Sequence, residues 1–508
     1  MALANFFSKT SLAASQILQG YDETDFKRKL NTVTIEIAFD GEAVSSPEGI
    51  FTLDLTTRLL ARLYPNLHIN ALDISAKNQK EKLEELAKSI NPIISLNENV
   101  PFASIIVGNS LVSREGLVFY TGSNEWVVSF SQNHPVGSGN SSNPFGAGAA
   151  ACFSAANLFR AIFKGQLVNG DLDDSFSLSL INFQKPDSEE CVSFANTSID
   201  FDETFLVGLG AIGNGALWAL TKLSNAKGCI HIIDPEKLDI SNLQRYVLAT
   251  QDDVNEDKIR LCSRYGVPGL FSPFKGTWAE FLTKRQNWNL PIVALAVDSA
   301  EGRIAVQSSL PNIILNAWTQ PSDLGISRHY NFLEQPCVAC LYPPKTGLQS
   351  KTQLIAGAIG LPEKEILIRE IVYNNSPLDE NWIREISEAK AVPFDELKSF
   401  IGMPISVFYT KALCGGIITT NSNNQQIETP MAFQSALAGI LLASELVLQV
   451  CGLRKDNIET MTRINLLKAL AQYLNEPLAK KQNTTCFCCD EDFRLAYKTK
   501  YHYEENEK

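Results

Sequence analysis

Residues 204–234 read TFLVGLGAIGNGALWALTKLSNAKGCIHIID, and this stretch decides the fold of the second half of the chain. Its first four residues and residues 229–233 are apolar runs that predict two short buried strands. Between them stand a G-x-G-x-x-G turn and an apolar segment with helical spacing; the turn consists of Gly208, Gly210, Gly213 and the following Asn214. This order predicts an α/β domain with a mostly parallel sheet and helices on both faces.

The glycine turn and the ends of the strands predict a nucleotide site. Glycines let the backbone approach a phosphate group at a helix N-terminus, where amide groups and the helix dipole favour negative charge. Asp234 ends the second strand, where an acid accepts hydrogen bonds from a ribose hydroxyl. Another predicted strand, residues 291–297, ends at Asp298, and ligands of such sheets bind beyond these strand ends. The glycine turn alone is compatible with NAD, FAD or ATP.

Polar and basic side chains after Asp234 favour ATP. Asn242, Arg245 and Lys258 follow this acid closely along the chain. An NAD site has no use for such charges, whereas a triphosphate needs cations that clamp its oxygens during nucleotidyl transfer. Asp298 is then a candidate ligand for Mg²⁺, which prefers carboxylate and phosphate oxygens. Solvated surface cations are the competing interpretation of Arg245 and Lys258.

Together these motifs resemble those of the ubiquitin-activating-like adenylyltransferases, which include the ThiF and MoeB activators of sulfur carriers. The resemblance is carried by Gly208, Gly210, Gly213, Asn214, Asp234, Ser241, Asn242, Leu243, Gln244, Arg245, Lys258 and Asp298. It implies that the glycine turn and Asp234 bind ATP and that Asp298 binds Mg²⁺. It further implies phosphate contacts from Asn242, Arg245 and Lys258, with Gln244 in the same nucleotide-binding motif. The sequence departs from the family at Tyr246, where Gln is usual, and after Asp298, where Asn is common.

The order of predicted elements indicates an internal repeat. Residues 1–200 are expected to form a degenerate, inactive adenylation-like domain, whose turn at residues 39–41 lacks the glycine motif. Residues 201–508 are expected to form the active adenylation domain, with residues 341–429 as a helical insertion. Two unrelated α/β domains are the alternative. The resemblance implies a pseudo-dimeric chain or a homo-oligomer. In the pseudo-dimeric arrangement the inactive half supplies an arginine to the ATP site. Arg28 is the candidate, with Arg58 and Arg62 also near.

Cysteine spacing predicts a metal site. The pairs Cys337/Cys340 and Cys486/Cys489 have two-residue gaps, which favour metal binding over disulfides in a chain without a signal peptide. The resemblance implies a structural zinc ion on these four cysteines, and four thiolates make a closed tetrahedral site. The neighbouring Cys488 leaves the fourth ligand open. Buried free cysteines are the alternative.

Cys414, followed by Gly415 and Gly416, is the candidate catalytic cysteine. A thiolate there can attack the mixed anhydride of an acyl-adenylate and form a thioester. Its place after the helical insertion resembles that of the family's transfer cysteine. The alternative is a core cysteine at the end of a helix.

Composition limits the range of functions. The chain has 508 residues, and its net charge of −12 argues against a general nucleic-acid binder. No signal peptide is visible at the start, so we expect a cytoplasmic protein. Residues 145–163 and 432–453 are apolar, but polar side chains interrupt both, which predicts buried helices rather than membrane spans.

The expected function is the ATP-dependent activation of a ubiquitin-like protein through its C-terminal glycine carboxylate. Adenylation, thioester formation on Cys414 and transfer to a conjugating enzyme would follow one another. The degenerate N-terminal half resembles the activating enzymes of bacterial conjugation operons, some of which act in antiphage defence. A ThiF/MoeB-type sulfur-carrier adenylyltransferase is the first alternative. An NAD(P)-dependent oxidoreductase and a non-enzymatic subunit are weaker ones, because they leave the cations and Asp298 without a role.

Overall fold

The computed structural model describes residues 3–186, 193–194, 197–342, 351–374, 376–405, 407–409, 429–454, 458–470, 478 and 486–502. The chain divides into two compact units. The first combines Met1–Tyr342 with Pro430–Lys508, and the second is Pro343–Thr429.

The N-terminal half of the first unit is built on a sheet of seven strands in the order β3-β2-β1-β4-β5-β6-β7. The strands from β3 to β5 are parallel to their neighbours, and β6 and β7 are antiparallel. The strand bounds are Ile35–Phe39 (β1), Asn66–Ala71 (β2), Ser95–Leu96 (β3), Ala103–Val107 (β4), Leu117–Asn124 (β5), Val127–Ser131 (β6) and Ser175–Ser179 (β7).

The C-terminal half contains a second seven-stranded sheet, in the order β10-β9-β8-β11-β12-β13-β14. It is parallel from β10 to β12 and antiparallel at β13 and β14. The bounds are Ile199–Val207 (β8), Ala226–Ile233 (β9), Phe271–Phe274 (β10), Ile292–Leu295 (β11), Ile313–Thr319 (β12), Leu324–His329 (β13) and Met461–Ile464 (β14). The α/β class is therefore confirmed, and the two sheets share one strand order, as an internal repeat predicts.

Helices connect and cover these sheets. Their bounds are Phe7–Ser15 (α1), Glu23–Thr32 (α2), Gly41–Ser45 (α3), Pro47–Leu63 (α4), Lys77–Ile90 (α5), Pro144–Phe163 (α6), Ala211–Leu220 (α7), Arg260–Tyr265 (α8), Trp278–Lys284 (α9), Ala300–Gln307 (α10), Lys351–Ala358 (α11), Glu365–Tyr373 (α12), Glu380–Lys390 (α13), Phe394–Leu397 (α14), Ala432–Val450 (α15) and Glu491–Tyr501 (α16).

The two halves share a core made by α4, α6, α7 and α15. Helix α6 packs on β5 and β6 of the first sheet, α15 packs on β12 and β13 of the second, and the two helices contact each other. Small residues allow this close packing: a Cβ on Gly439 would lie 2.1 Å from the Ile212 carbonyl oxygen, and one on Gly215 would lie 2.8 Å from that of Ala436. The apolar, alanine-rich sequences of α6 and α15 are thus explained by burial on all sides.

The same two helices pass a membrane test by length and composition. The segments are Pro144–Gln166 and Ala432–Val450, and 89% of the most apolar window of each is buried within the protein. Their burial confirms the prediction that both are core helices.

The second unit is helical over the residues that the structure describes. Helices α12 and α13 turn apolar residues inward, among them Ile368, Ile383 and Ile386, which are fully buried. Phe400 and Phe408 close this small core with an edge-to-face contact at 5.1 Å. The helical nature predicted for this stretch is therefore seen in α11 to α14. Cys414, Gly415 and Gly416 lie outside the described residues.

Candidate functional site

The glycine turn lies between β8 and α7, and two of its three glycines are required by the backbone. Gly208 has φ +93°, and a Cβ there would lie 2.8 Å from the carbonyl oxygen of Ala296. A Cβ on Gly213 would lie 2.2 Å from the carbonyl oxygen of Gly208, so α7 can approach the strand only without a side chain there. Gly210 precedes the helix, and a Cβ there would meet only the Tyr246 hydroxyl, at 3.7 Å, so a phosphate group could approach its backbone.

Asp234 follows β9 and braces this turn. Its Oδ2 accepts a hydrogen bond from the Leu209 amide at 2.7 Å, and its Oδ1 accepts one from the Glu236 amide at 2.8 Å. Burial raises the pKa of this carboxyl, although Lys258 and the two amides oppose the change. The acid predicted to bind ribose is therefore held beside the glycine turn.

The two cations predicted to contact phosphates lie around one aromatic ring. The Lys258 ammonium is 5.2 Å from the centre of the Tyr246 ring, and the Arg245 guanidinium is 5.9 Å from it. Lys258 also forms an ion pair with Glu236. Burial lowers the pKa of Lys258, but Tyr246, Asp234 and Glu236 outweigh it and hold the pKa above its usual value. Lys258 therefore carries a positive charge throughout the physiological range.

Three other residues of the motif form hydrogen bonds with the backbone of nearby loops. The Asn242 side chain accepts a hydrogen bond from the Asp239 amide at 2.9 Å. Asn214 is fully buried, and its side-chain oxygen accepts from the Leu248 amide at 2.9 Å. Gln244 is buried and donates to the Pro430 carbonyl at 3.4 Å. Asn214 and Gln244 thus hold backbone of the surrounding loops through these hydrogen bonds.

Asp298 follows the carboxyl end of β11 and is exposed. Within the described part of the chain its carboxylate accepts no hydrogen bond, so its oxygens are available to a cation. A carboxylate is a hard oxygen donor of the kind that Mg²⁺ prefers, so this residue fits the predicted role.

The three candidate arginines of the N-terminal half lie on two helices and have different partners. Arg28 pairs with Asp25 on its own helix, α2, and 69% of its side chain is exposed. Arg58 and Arg62 on α4 instead reach the other half, where they donate to backbone carbonyls of residues 246–249. Arg58 and Arg62 therefore make contacts between the two halves, and a contact of Arg28 with ATP stays a prediction.

The corresponding turn of the N-terminal half is closed by its own acid. Asp40 follows β1, accepts from the Ala43 amide at 3.1 Å, and accepts from the Ser110 amide and hydroxyl at 2.7 Å each. Asp73 accepts from the Gly41 amide at 2.6 Å. Carboxylates thus occupy the amides that would face a phosphate, and their charge would repel one.

Four thiols form a compact cluster, and the fourth is that of Cys488. The sulfur atoms of Cys337, Cys340, Cys486 and Cys488 all lie within 4.8 Å of one another. Five of the six sulfur–sulfur distances are 3.0–3.8 Å, near the about 3.8 Å of a tetrahedral zinc–thiolate site. The set fits zinc. Cys489 was the predicted ligand, but the turn over Phe487–Cys489 directs Cys488 into the core and leaves Cys489 half-buried.

The fold and site define an α/β protein with a glycine turn between strand and helix, two cations around the Tyr246 ring and a cysteine cluster. Residues 196–265 match the ThiF family, and residues 38–164 match Prokaryotic E2 family C. A curated relative in Sinorhizobium fredii, named "Uncharacterized protein y4jF", is 42% identical over 510 residues, which cover 99% of this chain and 98% of the relative. The chain belongs to the ThiF/MoeB-type, ubiquitin-activating-like superfamily.

The two matches together point to ubiquitin-like conjugation chemistry in general. A conjugating enzyme carries its acyl group on a cysteine thiol. The segment that matches the E2 family contains one cysteine, Cys152. That residue is fully buried in α6, and burial raises the pKa of its thiol well above the usual value. In this structure the segment therefore offers no accessible transfer thiol.

Proposed function

We propose that the chain activates a ubiquitin-like protein, beginning with adenylation of its C-terminal carboxylate by ATP. The observation that carries the proposal is the glycine turn with Asp234 at its base and with Lys258 and Arg245 around the Tyr246 ring. This arrangement supplies amides for a phosphate and two permanent positive charges for a triphosphate. The ThiF match covers all of these residues.

In the proposed reaction a carboxylate oxygen of the protein substrate attacks the α-phosphorus, and pyrophosphate leaves. Lys258 and Arg245 would neutralise the charge that develops on the phosphate oxygens. Asp298 would hold Mg²⁺, which screens the triphosphate when bound. The N-terminal half would serve as an adenylation-like domain that binds no nucleotide, because carboxylates occupy its turn.

We further propose that Cys414 captures the activated acyl group. Its thiolate would attack the acyl carbon of the adenylate, form a thioester and release AMP. A conjugating enzyme would then receive the acyl group by thiol exchange. A cytoplasmic bacterial conjugation pathway, with a role in antiphage defence, is the proposed context.

The first experiment measures MgATP binding by calorimetry for the wild type, Lys258→Met and Lys227→Met. Lys258→Met should lose MgATP affinity by about 100-fold, since it removes a buried positive charge that we assign to the phosphates. Lys227 is the matched control, because its exposed side chain pairs with Asp200 away from the site. Equal binding by all three proteins would exclude the proposed nucleotide site.

The second experiment incubates the full chain with MgATP and a ubiquitin-like protein that ends in an exposed glycine. Intact mass is measured under non-reducing conditions for the wild type and Cys414→Ala. A thiol-labile adduct on the wild type alone supports thioester formation on Cys414. Partner-dependent ATP–pyrophosphate exchange without an adduct on either protein supports the sulfur-carrier activity instead.

A further inference from the structure

We infer that Tyr246 positions the two phosphate-facing cations, and that Arg58 and Arg62 of the N-terminal half hold Tyr246 in place. This inference rests on the proposed ATP site and assigns to the half without a glycine turn a direct part in shaping it. Arg58 and Arg62 do not touch the nucleotide in this arrangement; they act through the loop of residues 246–249.

The loop over residues 246–249 is buried but has no regular secondary structure. Buried backbone carbonyls need hydrogen-bond partners. Arg58 Nη1 donates to Val247 O at 3.2 Å and Leu248 O at 3.0 Å. Arg62 Nη2 donates to Tyr246 O at 2.7 Å and also to Ala249 O. Four consecutive carbonyls of the C-terminal half thus accept hydrogen bonds from two guanidinium groups of the N-terminal half, and Tyr246 O also accepts one from the Ala249 amide at 3.1 Å.

Both arginines are fixed by their own surroundings. Arg58 Nε donates to Asp54 Oδ2 at 3.0 Å, and the same oxygen accepts from Trp218 Nε1 at 2.7 Å. Despite burial, Arg58 and Lys222 lower the pKa of Asp54 to about 2. Among the described residues, the hydrogen bonds of the Arg62 guanidinium go to backbone carbonyls, not to a carboxylate. Burial lowers the pKa of Arg62 to about 9, so this guanidinium stays charged at neutral pH.

A buried cation whose hydrogen bonds go to carbonyls rather than to a carboxylate is costly, which makes the choice of arginine at position 62 informative. A neutral side chain would fill the same space at lower cost, but it could not donate to several carbonyls at once. Planar guanidinium groups can, because their donors point in fixed, divergent directions. We therefore attribute the presence of arginine at this position to the conformation of the loop, which its hydrogen bonds hold.

Tyr246 is where the loop meets the candidate site. Its carbonyl is held by Arg62, and its ring faces Lys258 at 5.2 Å and Arg245 at 5.9 Å. Its hydroxyl lies 3.7 Å from the point that a Cβ of Gly210 would occupy, so the ring also borders the glycine turn. Attraction between cation and ring restrains both charges on the side of the turn. The departure from the family's usual glutamine at this position thereby acquires a physical role.

The test compares five full-length proteins: wild type, Tyr246→Leu, Tyr246→Phe, Arg62→Lys and Arg160→Lys. Tyr246→Phe keeps the ring and is the control for Tyr246→Leu. Arg160 is the control for Arg62, because it is also a buried arginine of the N-terminal half, but it pairs with Asp173. Amide hydrogen exchange is measured without nucleotide, and MgATP affinity is measured by calorimetry.

Arg62→Lys should speed exchange in peptides that cover residues 246–249, because lysine cannot serve both carbonyls. It should also weaken MgATP binding, whereas Arg160→Lys should do neither. Tyr246→Leu should weaken MgATP binding about tenfold, and Tyr246→Phe should stay close to the wild type.

Unchanged loop exchange in Arg62→Lys would overturn the role of the arginine. Unchanged MgATP affinity in Tyr246→Leu would overturn the role of the ring. A wild type that binds no MgATP would instead contradict the proposed function, and the exchange data would still decide whether Arg62 holds the loop.

Discussion

At the scale of single residues, the glycine turn is governed by backbone contacts that a side chain cannot avoid. A Cβ on Gly213 would lie 2.2 Å from a carbonyl oxygen, and no rotamer can relieve that contact. Gly210 borders open space, with the Tyr246 hydroxyl as its nearest neighbour at 3.7 Å from a built Cβ. The two glycines therefore have different physical reasons to be present.

We predict that Gly213→Ala lowers the free energy of unfolding by about 1–3 kcal/mol, because the backbone contact outweighs alanine's better helix propensity. Gly210→Ala should change it by less than about 0.5 kcal/mol. Urea unfolding of both variants checks this. Equal stability of the two variants would contradict the assignment.

A buried ion group at Glu445 ties α15 to its surroundings. Its carboxylate accepts from Arg328 Nη2 at 2.5 Å and from Arg454 Nη1 at 2.5 Å. Burial opposes ionisation, but Arg328 and Arg454 outweigh it and lower the pKa of Glu445 to about 2. Both the carboxylate and Arg328 are fully buried, so the pair is shielded from solvent.

This shift predicts an acid-sensitive fold. The folded pKa lies below the unfolded value of about 4.3, so the stabilisation is present above pH 4.3 and is lost as the pH falls towards 2. The loss over that range is about 3 kcal/mol. Glu445→Gln should be less stable at pH 7 by about 3–5 kcal/mol, because Arg328 and Arg454 lose their counter-charge. Its unfolding free energy should also vary less between pH 5 and 3 than that of the wild type.

At the scale of elements, the cysteine cluster joins a turn after β13 to the last helix. Cys337 and Cys340 belong to the turn, and Cys486 and Cys488 directly precede α16. In α16, Arg494 Nη1 donates to Cys488 O at 2.9 Å, and the Tyr497 hydroxyl donates to Asn312 Oδ1 at 2.9 Å. A metal ion there would fix the C-terminal helix against the second sheet.

We predict that purified protein contains about one zinc ion per chain, measured by elemental mass spectrometry. Cys488→Ser should lose the metal and at least about 2 kcal/mol of stability, whereas Cys489→Ser should keep both. Chelation of the wild type should reproduce the loss. The opposite behaviour of the two serine variants would restore Cys489 as the ligand.

At the scale of the whole molecule, helices of the two halves share a core, so we expect the halves to unfold together. Gly148 of α6 shows this contact: a Cβ there would lie 2.6 Å from the Trp218 ring and 2.8 Å from Ile440 Cδ1. Trp218 belongs to α7 and Ile440 to α15, so one position of the N-terminal half abuts two helices of the other.

Gly148→Val should therefore destabilise both halves together, by about 1–3 kcal/mol or more. Calorimetry should show a shift of one common transition for the first unit, rather than a separate early transition. Gly165→Val is the control, because a Cβ there has no neighbour within 4 Å. A variant that melts one half and leaves MgATP binding by the other intact would contradict a shared core.

Much of this molecule is encoded in short stretches of sequence. The strand–glycine turn–helix order at residues 204–234, Asp234 at the strand end and the apolar core helices follow from local spacing and periodicity. The paired cysteines likewise predicted a metal cluster, because two-residue gaps place two thiols on one turn. Such features depend only on residues that are close to one another along the chain.

Tertiary structure alone decided the contacts between distant segments. Arg62 meets Tyr246 O across 184 residues, a pairing that no local pattern contains. Cys488 rather than Cys489 joins the cluster because the turn, packed against the core, points one of two adjacent thiols inward. Arg58 likewise reaches the carbonyls of Val247 and Leu248 because α4 lies at the core that the two halves share. Spacing determines which groups are available, and packing of the two halves determines which of them meet.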